Sequence, residues 1–298
     1  MTDPVISVMT IVYNGEAFME RCHRNLLAQT FTDWEWIVIN DGSTDGTEAI
    51  LQQLQQREPR LHVTSYPKNV GRAHARTLAL KESKGQWVAV WDADDFYFPR
   101  RLARIDQARR EGFDYYNSSA IVVDQQLNFI GVRGFGKPWP TLDIRTACHA
   151  AMGIRLDLAR EIGYLPHLKT VGQIGEDVPM IYLPPVTHRG LLDDNDPTFI
   201  NVIGNEVFLR KSIDANTIRI EYMKELFSRG VLPLTREEFD TLAAADHRKL
   251  RKLKMLQLFP PLYKLIMSFR PRGDIVNGRK LTREEERFLD EARGWGLG

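Results

Sequence analysis

The segment Asp92-Ala93-Asp94-Asp95 places three carboxylates directly behind an apolar run at 86–91. Carboxylate oxygens are hard ligands. They suit Mg2+ or Mn2+; Mg2+ takes one or two protein carboxylates and fills its remaining positions with substrate phosphates and water. With Asp92 and Asp94 two residues apart on a turn, one can reach a metal while the other orients a ribose or a water. Standing alone, such a turn reads equally as a solvated loop or a helix cap. A second acidic pair, Glu176-Asp177, follows Gly175 and precedes Val178. A carboxylate there can take a proton from a hydroxyl within hydrogen-bond reach; standing alone, the pair reads as charge on the first turn of a helix. His188 and Arg189 lie a little further on. An imidazole there would complete a metal shell or touch phosphates, and a guanidinium would pair with a phosphate oxygen.

These groups need a scaffold. Residues 5–12, 34–39, 61–66 and 86–91 are short apolar runs, rich in β-branched residues, of the kind buried on both faces of a sheet. Helical spacing marks 16–28, 45–56 and 71–84 between them. This alternation predicts a mostly parallel sheet flanked by helices, with right-handed crossovers. Polar, glycine-bearing stretches fall at the strand ends: Tyr13-Asn14-Gly15, Asn40-Asp41-Gly42-Ser43 and the acidic turn at 92–95. Open α/β sheets bind ligands beyond the carboxyl ends of their strands. The three clusters therefore converge on one crevice. Asp45, beside Gly46, is expected to cap the helix that follows.

The middle of the chain is less regular. Residues 99–110 read as a helix, 115–123 as a strand with a return at 129–132, and 156–162 as a short helix with another from 176. The acidic stretch 190–198 has no periodicity and reads as a loop able to fold over a bound donor. Further on, 213–228 and 235–245 read as helices, the second opened by a Thr235–Glu238 capping box, and 282–292 as a last, charged helix.

Composition sets outer limits. With 298 residues, a formal net charge of +1 and 43% apolar residues, the chain is an ordinary folded protein with no overall bias toward nucleic acid. Cys22 and Cys148 match no zinc or redox spacing and read as buried or half-buried thiols in a reducing, cytoplasmic compartment. No basic leader precedes the first strand, so no signal peptide is expected, and no apolar run approaches the ~20 residues of a transmembrane helix. Residues 247–272 carry Arg248, Lys249, Arg251, Lys252 and Lys254, then apolar residues, and no acid. That combination suits peripheral attachment to an anionic membrane surface, or a helix packed on the domain with a solvated basic face. The Trp34/Trp36 and Trp87/Trp91 pairs read as core. Trp139, in a loop with Pro138 and Pro140, reads as packing or as a platform for a sugar ring.

The ordered series 7–14, Gln29-Thr30-Phe31, Asn40-Asp41-Gly42-Ser43-Thr44-Asp45-Gly46-Thr47, Asn69-Val70-Gly71 with Ala75-Arg76, Lys84-Gly85 and Asp92-Ala93-Asp94-Asp95 resembles the family 2 glycosyltransferases of the GT-A fold. The likeness covers about residues 5–190; Ile11 stands where the family often has proline. It implies a GT-A-like domain over 1–200, with nucleotide-sugar binding in 1–98 and acceptor binding in 99–200, followed by a helical extension over 201–298. It implies that Tyr13 and Asp41 hold the base, with uracil suited to Asp41 as acceptor. Asn69, Gly71 and Arg72 would close over the nucleotide, Asp92 would lie at the ribose and metal, and Asp94 would bind the metal. Asp177 would be the base of an inverting displacement, as in inverting glycosidases with a sugar hydroxyl in place of water, and Glu176 its companion. The donor would be a nucleotide diphosphate sugar, the acceptor a saccharide or lipid-linked saccharide, and the site peripheral to the inner face of the membrane. A non-catalytic nucleotide-sugar or glycan-binding module is the alternative. Nucleotidyl transfer lacks its phosphate loop, since Tyr13-Asn14-Gly15-Glu16 is neither glycine-rich nor basic, and no base-reading motif supports nucleic-acid binding.

Overall fold

A computed structural model describes residues 3–133, 148–165, 176–182, 184–193, 196–202, 208–232, 234–257, 275–276 and 279–295. Its largest element is a seven-stranded sheet. At the sheet's centre β1 (Ile6–Val12) lies between β2 (Trp34–Asn40) and β4 (Trp87–Val90), with β3 (Leu61–Ser65) outside β2, all parallel. β2 and β4 are buried along their whole length, as their unbroken apolar runs require. Crossover helices α1 (Met19–Leu27), α2 (Thr47–Arg57) and α3 (Arg72–Glu82) cover the faces. Trp34, Trp36, Trp87 and Trp91 are all buried. Beyond β4, β9 (Gly153–Arg155) runs antiparallel between β4 and β6 (Tyr115–Ser118), and β10 (Gly190–Asp193) pairs parallel with β6. The expected mostly parallel sheet is present, with one reversed strand.

Three expectations are corrected. The single strand at 115–123 is two, because the chain changes sheets at Ser119. β6 stays in the large sheet, whereas β7 (Ala120–Val123) joins β5 (Phe96–Tyr97), β8 (Phe129–Arg133), β11 (Phe199–Val202) and β12 (Ile275–Val276) in a second one. Every residue from Tyr115 to Val123 is buried, so no alternation marks the switch. The stretch 190–198 is not simply a loop: it contributes β10, and Asp196 accepts from Nε of Arg100 and Nε of Arg104, each at 2.7 Å. Its acidity serves ion pairing.

The third correction concerns the C-terminal part. Helices α8 (Phe208–Ser228) and α9 (Arg236–Gln257) do pack on one another around Met223, Leu226, Leu232 and Phe239. The Thr235–Glu238 capping box forms, with the Thr235 N–H donating to Glu238 (2.8 Å) and the Glu238 N–H to Thr235 (3.3 Å). The chain then returns to the second sheet. β12 pairs with β8. The last helix, α10 (Arg283–Trp295), sets Phe288, Leu289 and Ala292 against Phe96, Phe98, Ile121 and Ile200. Residues beyond 200 therefore complete the second sheet as well as extending from it. Trp139 and residues 258–272 lie outside the described residues. Cys22 is buried, Cys148 half-buried, and both are free thiols.

A buried arginine joins the two sheets. Arg101 opens α4 (Arg101–Arg110) and is completely buried. Its Nη2 donates to the carbonyls of Val90 (3.0 Å) and Ala150 (2.8 Å), its Nη1 to Thr198 Oγ1 (3.1 Å), and the guanidinium faces the Tyr97 ring at 4.8 Å. Replacement by methionine would fill the space but leave these acceptors without donors. Hydrogen bonds to a charged group contribute about 1.5–3 kcal/mol each. Arg101→Met should therefore lose about 3–5 kcal/mol in urea unfolding; a loss below about 1 kcal/mol would show the strut to be dispensable.

Candidate active site

The ends of β1 and β2 are knitted together by side chains on their turns. Asn14 sits in the left-handed region (φ 54) and accepts from the Thr44 N–H at 2.8 Å, while its own N–H donates to Ser43 Oγ at 2.9 Å. Asp45 accepts from the N–H groups of Glu16 and Thr47, both at 3.1 Å, from one residue ahead of Gly46, which stands at the N-cap position that Asp45 was expected to fill. These bonds leave Tyr13 half-exposed at the rim. Asp41, at the end of β2, is buried. Its two oxygens accept separately from the N–H groups of Val70 (2.7 Å) and Gly71 (3.1 Å). Burial pushes its carboxyl above the usual range, and those two N–H groups oppose the rise. Beside it Gly42 has φ 74, and a Cβ there would lie 2.2 Å from the Lys68 carbonyl carbon. Asp41 and Gly42 thus hold the loop that carries Asn69, Gly71 and Arg72 against the sheet.

The acidic turn after β4 is held from below. The Asp92 N–H donates to the Tyr97 hydroxyl at 2.8 Å, and Tyr97 lies 3.9 Å from Trp91, ring to ring. Arg21, buried on α1, donates to the Asp94 carbonyl at 3.2 Å and stands 4.4 Å over the Phe96 ring. Asn25 clamps Tyr97 by both backbone groups, donating to its carbonyl (2.6 Å) and accepting from its N–H (2.7 Å). Gln29 does the same one step on, donating to the Phe98 carbonyl (3.0 Å) and accepting from the Leu102 N–H (3.1 Å). Asp95 points inward, accepts from Asn201 Nδ2 (3.3 Å), and is driven well above the usual carboxylate range by burial and by the neighbouring Asp94 and Asp92.

Arg76, on the third helix, connects this turn to the second acidic pair. It is 6% exposed. Its Nη1 donates to Glu176 Oε1 at 2.6 Å, and its Nη2 lies 3.9 Å from Asp92 Oδ1. Arg72 reaches the same Glu176 with Nε at 3.2 Å. Glu176 is buried, and Asp177 beside it half-buried, just ahead of α6 (Val178–Tyr182). Burial raises both carboxyls, opposed chiefly by Arg76. Neither Arg76 nor Arg21 stands out as a site residue in the sequence. The signal available was Arg76's place on the inner side of a helix in an apolar neighbourhood.

A cleft of about 550 Å³ opens over these groups, lined among others by Tyr13, Asp41, Asn69, Arg72, Asp92 and Asp94. Its size suits a small organic ligand. Among the described residues no three His, Cys, Asp or Glu side chains gather as a metal site. Asp92 and Asp94 together still match a Mg2+-type donor set, two hard carboxylates with the other positions left to phosphate and water. His188 and Arg189 are not brought to the cleft. Strand register sets Gly190 level with Tyr115, Ile154 and Val88. At about 3.3 Å per residue, Asp92 lies some 13 Å further along. His188 instead bonds Thr187 Oγ1 (2.6 Å), and Arg189 lies 4.5 Å over the Phe113 ring. The helices α6 and α7 (Pro184–Thr187) carry the chain back across the sheet, so both residues fall at the opposite rim.

The sequence pattern described as Glycosyl transferase family 2 matches residues 7–162. The glycosyltransferase TuaG of Bacillus subtilis (strain 168), named for teichuronic acid biosynthesis, is 41% identical over 101 residues, which is 34% of this chain and 40% of TuaG. Among solved structures, S. aureus TarS 1-349 in complex with UDP-GlcNAc superposes with a TM-score of 0.61 at 20% identity, covering 81% of this chain and 71% of that one. A mannosyltransferase from Pyrobaculum calidifontis, in complex with GDP-Man and Mn2+, superposes with a TM-score of 0.59 at 13% identity, covering 99% and 85%. These likenesses give the fold, a GT-A-like α/β arrangement.

Asp41→Asn would turn one acceptor oxygen into an amide that faces a backbone N–H. The lost pair and the N–H left unsatisfied should together cost about 1–3 kcal/mol. Amide exchange at Val70 and Gly71 should quicken about tenfold or more; unchanged protection would show that Asp41 does not hold the loop.

Proposed function

Since this chain belongs to Glycosyl transferase family 2, we propose that it moves a sugar from a nucleotide diphosphate sugar, with a UDP-sugar favoured, to a saccharide or lipid-linked saccharide, with inversion. The observation that carries the reading is that Asp92, Asp94 and Arg76 line one cleft with Tyr13, Asp41, Asn69 and Arg72, and that Arg76 ties the Glu176–Asp177 segment to it through Glu176. Tyr13 stacks on the base. Asp41 keeps lone pairs beyond those given to Val70 and Gly71, and one accepts the base N–H. Arg72, half-exposed at the mouth, answers the diphosphate charge. Asp92 and Asp94 would hold Mg2+ or Mn2+, which when bound offsets the charge on the diphosphate.

Asp177 takes the proton of the acceptor hydroxyl as its oxygen attacks the anomeric carbon. The bond from that carbon to the diphosphate oxygen breaks on the opposite face, and the nucleoside diphosphate leaves with the bonding pair. One base and one displacement invert the anomeric centre. Glu176, neutralised by Arg76 and Arg72, keeps the pair in place. Peripheral membrane attachment through 247–272 belongs to the same proposal. Arg248, Arg251 and Lys254 on the ninth helix are exposed, and so is Met255. No described helix is long and apolar enough to cross a membrane.

The test is a panel of UDP- and GDP-sugars with Mn2+ or Mg2+, read as thermal stabilisation and as release of nucleoside diphosphate with saccharide acceptors. UDP-sugars should stabilise the fold only when metal is present. Asp177→Asn should cut turnover about 10²–10⁴-fold while leaving donor binding within about twofold. Full turnover in that variant would overturn Asp177 as the base, whereas donor binding with no release of nucleoside diphosphate from any sugar offered would support the binding-module reading. Asp177 works ionised and its folded-state pKa is raised above 3.8. The rate should therefore be lost as pH falls through a value above 3.8, and Asp177→Asn should abolish that limb.

A further inference from the structure

Two buried polar side chains next to the acid pair have no part in that mechanism. Tyr164 follows α5 (Leu156–Ile162) and is 6% exposed; His149 precedes β9 and is also 6% exposed. The Tyr164 hydroxyl lies 2.9 Å from His149 Nε2, with the two rings edge to face at 5.6 Å. Arg76, which bonds Glu176, stands 5.6 Å from the Tyr164 ring. Tyr164 shares an apolar cluster with Met180 of the sixth helix and with Met152 and Ile154. The next residue makes the decisive contact: the Leu165 N–H donates to the Glu176 carbonyl at 3.0 Å. The backbone carrying Glu176 and Asp177 is thus tied to the residue whose neighbour is pinned by His149.

We infer that Tyr164, fixed by His149, is a positioning residue that sets the backbone of the Glu176–Asp177 pair. His149 is held neutral by burial and by the nearby Arg76 and Arg72. Among the described residues its Nδ1 has no hydrogen-bond partner. A buried bare nitrogen is tolerated better than a buried orphan N–H. The tautomer is therefore the one in which Nε2–H donates to the Tyr164 oxygen. The hydroxyl then acts first as an acceptor, and any side chain at 149 that offers a donor at the Nε2 position can replace the imidazole. The inference rests on the reading of Asp177 as the base.

The experiment compares Tyr164→Phe, His149→Leu and His149→Gln in the full chain, following hydrogen exchange at the Leu165 amide, binding of UDP with Mn2+, and UDP release from the UDP-sugar that is turned over fastest. Tyr164→Phe and His149→Leu should quicken exchange at Leu165 about tenfold with the amides of the third helix unchanged. Turnover should fall about tenfold or more, and donor KM should stay within about twofold. His149→Gln, whose Nε2 amide donates as the imidazole does, should restore both. Unaltered exchange at Leu165 overturns the inference. So does loosening spread evenly over the third helix and the ninth strand, or a His149→Gln that behaves like His149→Leu. Amide exchange needs no substrate, so it decides the positioning role even if Asp177→Asn overturns the role of the base.

Discussion

A guanidinium with almost no access to solvent stands between carboxylates from two distant parts of the chain. Arg76 bonds Glu176, one hundred residues away, and faces Asp92 across 3.9 Å. Neither charge is tolerable alone in that place. Removing one partner of a buried pair leaves the other uncompensated, at a cost of about 3–5 kcal/mol. The consequence is geometric. The third helix, the acidic turn after the fourth strand and the segment at 176–177 occupy fixed relative positions, because the arginine satisfies all of them from one point. Arg72, one turn earlier on the same helix, shares Glu176 but keeps about half its side chain in solvent. It is the more exposed cation of the two.

The acidic turn meets the opposite problem, too much negative charge in one place. Three carboxylates within four residues repel, and like charges that close raise one another's pKa. The fold resolves this by burying Asp95 under Asn201, where burial and its two neighbours drive its carboxyl upward. Asp92 and Asp94 line the cleft instead. The backbone of the turn is fixed independently of those charges, by Tyr97 at the Asp92 N–H and by Arg21 at the Asp94 carbonyl. The turn is thus formed without help from any ligand, which is what preorganisation requires.

Much of this was legible in the residues. Strands buried on both faces announce themselves as unbroken apolar runs, and polar turns at successive strand ends fall on one side of a parallel sheet. That placed Tyr13, Asp41, Asp92 and Asp94 around one hollow, which Asn69 and Arg72, expected from the family resemblance, also line. What escaped has two physical causes. Sheet membership is not periodic, so the switch at Ser119 left no trace in a run that is buried throughout, and the four-residue, partly exposed strand at 190–193 shows no alternation. For the same reason, His188 and Arg189, close in sequence to the acid pair, were expected in the cleft; the chain reverses through two short helices and delivers them to the far rim. The second cause is that buried arginines look like surface arginines. Arg21, Arg76 and Arg101 carry the supports of the site, yet only the structure shows that their faces are turned inward.

The last described helix belongs to that support. Trp295 stacks on Phe96 at 6.2 Å, and Phe288 meets Phe98 at 4.1 Å, so the tenth helix lies against the strand that follows the acidic turn. Phe96 also carries the Arg21 guanidinium, which in turn holds the Asp94 carbonyl. A continuous line of contacts thus runs from residue 295 to the acidic turn, through one aromatic ring and one cation. The helix is held in register by its own cap, with Thr282 and Glu285 exchanging backbone bonds and Arg279 pairing with the same Glu285. The tenth helix therefore acts on the site through packing: the ring that meets Arg21 in a cation–π contact also stacks on Trp295, an aromatic side chain that follows both sheets in the chain.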